Sequence, residues 1–87
     1  MTGVRVNLEV EDLSEHKLKK FHQVLLSYRG AVPTHVILES EYGRARMKLS
    51  DQFLVNPTPQ MAARINELFH KNTVQFIVDG HLEDVQT

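Results

Sequence analysis

Between Val32 and Asn56 the chain reads VPTHVILESEYGRARMKLSDQFLVN, with apolar and polar residues alternating along both halves. Folded back at Tyr42-Gly43, the halves make a hairpin that sets Ser40 opposite Ala45, Leu38 opposite Met47 and Val36 opposite Leu49. These pairs share a mostly apolar side. The other side pairs Glu41 with Arg44, Glu39 with Arg46 and Ile37 with Lys48, and a loop from Glu41 to Arg44 keeps the same register. A slip of one residue would turn Arg46 and Lys48 toward the core, so the face of each side chain is well specified. Each acid–base pair across the strands adds only about 0.2–1 kcal/mol and serves mainly to choose the register. An isolated hairpin is marginal in water, so the other segments must cover its apolar side.

The flanking segments supply that cover. Val4, Val6, Leu8 and Val10 alternate with Arg5, Asn7, Glu9 and Glu11, which predicts a half-buried strand. Asp12 or Ser14 caps a helix whose stripe is Leu18, Phe21, Leu25 and Tyr28, with Gly30 as its stop. Phe53-Leu54-Val55 reads as a short third arm. In Asn56-Pro57-Thr58-Pro59, Thr58 fits an N-cap and Pro59 the first helical position, where a missing N–H is harmless. Met61, Ile65, Leu68 and Phe69 form the stripe of that second helix. His70 and Lys71 suit its C-terminal end, and Asn72 supplies a left-handed stop. Thr73 to Asp79 is a final strand with Val74, Phe76 and Val78 on one side and Gln75 and Ile77 on the other. Gly80 ends it, and HLEDVQT reads as a frayed tail.

The order is β-α-β-β-α-β, the split β-α-β pattern of ferredoxin-like domains. It predicts an α+β two-layer sandwich, with two helices on one face of a mainly antiparallel sheet and the opposite face open. The 87 residues suffice for one domain over 1–87, with an ordered core over about 4–79 and a flexible tail over 80–87.

Composition narrows the chemistry. A net charge of −1 gives little overall attraction for nucleic acid, and the absence of cysteine removes disulfides, thiolate catalysis and cysteine-based zinc sites. No apolar run approaches membrane-spanning length and the N-terminus carries no secretion signal, which points to the cytoplasm. His16, His22, His35, His70 and His81 show no ligand spacing, so they read as scattered surface residues and no metal is expected. Ser14, Ser27, Ser40 and Ser50 lie in no nucleophile elbow, and the four glycines are isolated, so no phosphate loop, cofactor or catalytic residue is expected. Arg44, Arg46 and Lys48 form a basic stripe on the open face. It is the one feature that fits a nucleic-acid-binding sheet, but Glu39 and Glu41 beside it favour a neutralised structural stripe. Ile37 and Ile77 point outward on that face. With Gln75, Arg46 and Lys48 around them, they are the candidate partner-binding residues.

The ordered segments VRVNLEVEDLSEHKLKKFHQVLLSYRG, VPTHVIL with the Gly-Arg hairpin, FLVNPTPQMAARINELF and TVQFIV carry a family resemblance from Val4 to about Asp79. The chain resembles the extreme C-terminal domain of bacterial replicative DNA polymerase III alpha subunits. The resemblance implies a non-catalytic interaction module that tethers the polymerase to the clamp-loader tau subunit and other replisome proteins, with the polymerising carboxylates in a distant domain. Gln75-Phe76-Ile77-Val78 reads as a structural strand rather than a clamp-binding peptide. The alternative is a small nucleic-acid-binding sheet domain making weak contact with single-stranded DNA through Arg44, Arg46 and Lys48.

Overall fold

A computed structural model describes residues 2–78 in full and the backbone of 81–84. Strand β1 (Gly3–Glu9) is followed by helix α1 (Glu15–Ser27), then β2 (Arg29–Val32), β3 (Thr34–Ser40) and β4 (Gly43–Lys48). Helix α2 (Pro59–Phe69), β5 (Val74–Val78) and β6 (His81–Asp84) complete the order. Five strands form one mixed sheet in the order β4-β3-β1-β5-β6. Only β1 and β3 run parallel; the other three pairings are antiparallel.

The α+β two-layer sandwich follows from the alternation. Val4, Val6 and Leu8 of β1, Val36 of β3 and Val74 of β5 are buried together with Phe21, Leu25, Met61, Ile65 and Phe69 of the helices. Phe21 and Phe69 meet edge-on at 6.0 Å, which joins α1 to α2 over the sheet. One point of connectivity differs from a split β-α-β unit. Strand β3 lies directly beside β1, whereas a ferredoxin-like sheet would place β4 between them. The unit β1-α1-β3 is therefore an unsplit crossover, and β4 becomes an outer strand.

Local chemistry explains the helix boundaries. The Ser14 hydroxyl accepts a bond from the Lys17 N–H at 3.1 Å, so Ser14 rather than Asp12 caps α1. Asp12 instead forms an ion pair with Lys71, which also reaches Glu9 at 3.4 Å. The hydrogen bond to Asp12 raises the Lys71 pKa, with the charges of Asp12 and Glu9 adding to it and desolvation opposing. Val10 leaves the strand pattern: it begins a 3-10 turn over Val10–Asp12 and is exposed. Thr58 caps α2 by accepting from the Met61 N–H at 3.1 Å, with Pro59 in the first turn. The left-handed residue that ends α2 is His70, at φ 57°, not Asn72. The Oδ1 of the buried Asn66 side chain then accepts from the Thr73 N–H at 2.8 Å and turns the chain into β5.

Gly30 does not stop α1, whose last residue is Ser27. It lies in β2, where its N–H donates to the Leu54 carbonyl at 3.1 Å and Asn56 N–H donates to Tyr28 at 2.6 Å. A Cβ at Gly30 would stand 2.5 Å from the Asn56 nitrogen and 2.6 Å from the Val55 carbonyl carbon. The close backbone approach is what requires glycine here. Val55, predicted in a short arm, bridges to Arg29 and Val32 and is fully buried after a 3-10 turn over Asp51–Phe53.

Two sequence expectations about strands are corrected. The hairpin register is shifted by two residues: Ser40 pairs with Gly43, Glu39 with Arg44, Leu38 with Ala45, Ile37 with Arg46, Val36 with Met47 and His35 with Lys48. The tip is Glu41-Tyr42, where the Ser40 hydroxyl accepts from the Tyr42 N–H at 3.1 Å. Gly43 relieves the turn with a φ of 140°. Over residues 81–84 the expected tail is a strand that pairs antiparallel with β5. The expected stop at Gly80 and the tail residues 85–87 lie outside the described residues.

Gly30→Ala should destabilise the domain by about 1–3 kcal/mol, because a rigid backbone rather than a flexible side chain occupies the space. Thr58→Ala should lose about 0.5–2 kcal/mol with its cap. Urea denaturation midpoints read both effects, and a midpoint unchanged in either variant rejects the corresponding role.

Candidate functional site: the uncovered sheet face

Residues out of phase with the core strip line the face away from the helices. Pairing places them in rows across the strands. One row runs Lys48, His35, Arg5 and Gln75; the next runs Arg46, Ile37 and Asn7. At one end Arg44 sits opposite Glu39, and at the other Ile77 sits opposite Gly3.

The centre of this face is internally bonded. The Arg5 Nε donates to the Asn7 side-chain oxygen at 2.9 Å, and the Asn7 amide donates to the Gln75 side-chain oxygen at 3.0 Å. Gln75, a predicted partner-binding residue, is therefore part of a polar brace between β1 and β5. The Arg44 guanidinium meets Glu39 at 2.7 Å, an exposed pair worth little by itself. The register shift hands Glu39 to Arg44 and leaves Arg46 opposite Ile37. Among the described residues no ion pair reaches Arg46 or Lys48. The expected neutralised stripe is thus neutral only at its Arg44 end.

His35 was not singled out by the sequence pattern beyond its place among scattered histidines. Its signal was parity: it lies two residues before Ile37 and so shares its face. Burial lowers the His35 pKa, and the charges of Arg46 and Lys48 lower it further. The imidazole is therefore neutral at neutral pH.

The two isoleucines behave differently from expectation. Ile37 does lie on this face, but it is only 5% exposed. It sits at the floor of a shallow depression bordered by Arg5, Arg44, Ala45 and Arg46. Long arginine stems cover apolar surface while their heads stay wet, which accounts for the burial. Ile77 is half-buried against Gly3. Two strand spacings and a four-residue register offset set the isoleucines about 16 Å apart, so they do not form one apolar patch. The structure brings Ile37, Arg46 and Lys48 together and leaves Gln75 and Ile77 on the far side of β1.

Other chemistry is dispersed. His22 stacks near Phe53 at 4.9 Å, His70 caps α2 and His16 is exposed on α1. Among the described residues no group of three or more His, Asp or Glu side chains is placed to hold a metal ion. A cleft of about 770 Å³ is lined by Glu9, Val10, Glu11, Glu39, Ser40 and Tyr42, among others, and brings acids rather than an acid–base pair to its walls. Among the described residues no helix is long and apolar enough to cross a membrane.

No protein-family model, no curated protein and no solved structure matches the chain.

Two outcomes follow. Ile37→Ala should destabilise the domain by about 2–5 kcal/mol, as a buried isoleucine does, and a loss under about 0.5 kcal/mol would refute its burial. For His35 the folded pKa lies below the unfolded one. The unfolded chain therefore binds more protons in the window below about pH 6.5, and stability falls as pH drops through it. His35→Gln should flatten that part of the stability–pH curve. An unchanged slope would assign the effect to other groups.

Proposed function

We propose that this chain is a non-catalytic interaction domain of a bacterial replicative DNA polymerase III alpha subunit, holding the polymerase to the clamp-loader tau subunit in the cytoplasm. The family likeness of the ordered segments from Val4 to about Asp79 supplies the identity of the partner. The observation that carries an interaction role is the sheet face that neither helix covers. Ile77 is half-buried there beside the Arg5–Asn7–Gln75 brace, with Arg46 and Lys48 beyond it. An apolar contact held in a polar, prearranged surround is the arrangement that gives affinity without loss of solubility.

The role assigned to each residue changes with its placement. Ile77 is the apolar contact. Arg46 and Lys48 are exposed charges that set orientation and encounter rate. Gln75 positions the face through Asn7. Ile37 supports the face from beneath and makes no direct contact.

Ile77→Asp should weaken tau binding by more than about 1 kcal/mol while the domain stays folded, because Ile77 lies outside the helix-covered core. Arg46→Glu with Lys48→Glu should slow association and change its salt dependence. Calorimetric titration of purified tau into the full chain, with thermal unfolding of each variant, measures both. Full-strength tau binding by a folded Ile77→Asp variant sinks the assignment.

A further inference from the structure

We infer that the outer edge of β4 is a docking site for an extended protein segment in which acidic residues alternate with apolar ones. This edge shares Arg46 and Lys48 with the proposed tau-facing surface but not the Ile77 contact, and it stands whether or not the polymerase reading does.

The sheet ends at β6 on one side and at β4 on the other, and among the described residues β4 pairs with β3 alone. All six residues of β4 are exposed. The hydrogen-bond phase of β4 follows from one contact: Leu49 N–H donates to the Thr34 carbonyl at 2.9 Å. In an antiparallel pair, bonded and non-bonded residue pairs alternate. Leu49 is thus bonded to β3, and so in turn are Met47, Ala45 and Gly43. The backbone N–H and C=O groups of Arg44, Arg46 and Lys48 point outward, away from the sheet.

The side chains follow the same alternation. Arg44, Arg46 and Lys48 stand on the uncovered face, about 6.8 Å apart from one to the next. Ala45 and Met47 stand on the helix side, where Met47 is 43% exposed because the helix layer stops short of it. Tyr42, at the end of the edge, is 91% exposed. A sixth strand bonded to the outward groups would place its residues opposite Arg44, Arg46 and Lys48 on the basic face. Its alternate residues would lie beside Ala45 and Met47. Charge complementarity fills the first set with Asp or Glu, and the exposed Met47 favours apolar residues in the second.

Basic residues on an edge strand also keep identical edges apart, since two copies would oppose like charges. That property and the proposed docking have one cause. The row excludes a second copy and admits a strand of opposite charge. Blunting alone leaves the uncovered Met47 and the free outward donors without a use.

The test uses the full chain and three synthetic seven-residue peptides: alternating Glu and Val, alternating Lys and Val, and one with the same Glu and Val residues in two blocks. A twenty-nucleotide thymidine oligonucleotide is the fourth probe. Amide hydrogen exchange at Arg44, Arg46 and Lys48 is the readout, because these N–H groups have no partner within the sheet. The alternating Glu–Val peptide should slow their exchange by about tenfold or more at millimolar concentration, with little change at Ala45 and Met47. Arg46→Glu with Lys48→Glu should lose that protection for the Glu–Val peptide and gain it for the Lys–Val peptide. Absence of protection at all three amides, equal protection by the blocked peptide, or no reversal in a folded double variant each overturns the proposal. Tighter, steeply salt-dependent binding of the oligonucleotide at the same amides overturns it in favour of a nucleic-acid surface.

Discussion

The pairing of β1 on both its edges is the constraint from which the rest of this structure follows. β1 is flanked by β3 in parallel and β5 in antiparallel register, and Val4 and Val6 are fully buried beneath both helices. A parallel neighbour cannot be reached by a tight turn; it needs a crossover long enough to run the length of the sheet and return. Helix α1 is that crossover, and its buried Phe21, Val24 and Leu25 are the apolar strip the crossover must put down on the sheet. The second helix then has one place to return, beside α1 on the same face. Its strand takes the vacant edge of β1.

This constraint also decides where the exposed chemistry lies. With β3 beside β1, the hairpin carries β4 outward to the rim, beyond the reach of the helices. Met47 is exposed for that reason, although it has the phase of a core residue. The basic residues of β4 are consequently free of the crowding that would force each to find an acid. A rim position lets water and salt screen Arg46 and Lys48, so their proximity costs little in the folded state.

The sequence pattern reports which face a strand residue occupies and is nearly blind to pairing order and to even-numbered slips. The observed hairpin register differs from the expected one by two residues. Such a shift returns every side chain to the same face, so hydrophobic alternation cannot distinguish the two; turn geometry does, through Ser40 and Gly43. The same blindness hid the change in charge partners, since moving Glu39 from Arg46 to Arg44 alters no face. Thr58-Pro59 was legible because capping is local chemistry complete within four residues. Gly30 and His70 were not, because a close approach of distant backbone and a left-handed helix end depend on where the chain goes next. Ile37 was placed on the correct face, but its burial depends on side chains from two neighbouring strands. The strand over 81–84 was missed because its apolar periodicity is weak; backbone bonds to an already formed edge hold it.

His35 ties the two halves of the site together. It occupies the row between Lys48 and Arg5, and its depressed pKa comes first from burial and then from Arg46 and Lys48. The imidazole therefore senses the potential along the inner side of the β4 row. Any acidic group brought against Arg46 and Lys48 opposes their effect and favours the imidazolium. Docking of an acidic segment at the rim, as proposed, would then be linked to proton uptake at His35, and linkage runs both ways: the acidic segment would raise the histidine pKa, and protonation would strengthen the hold on it.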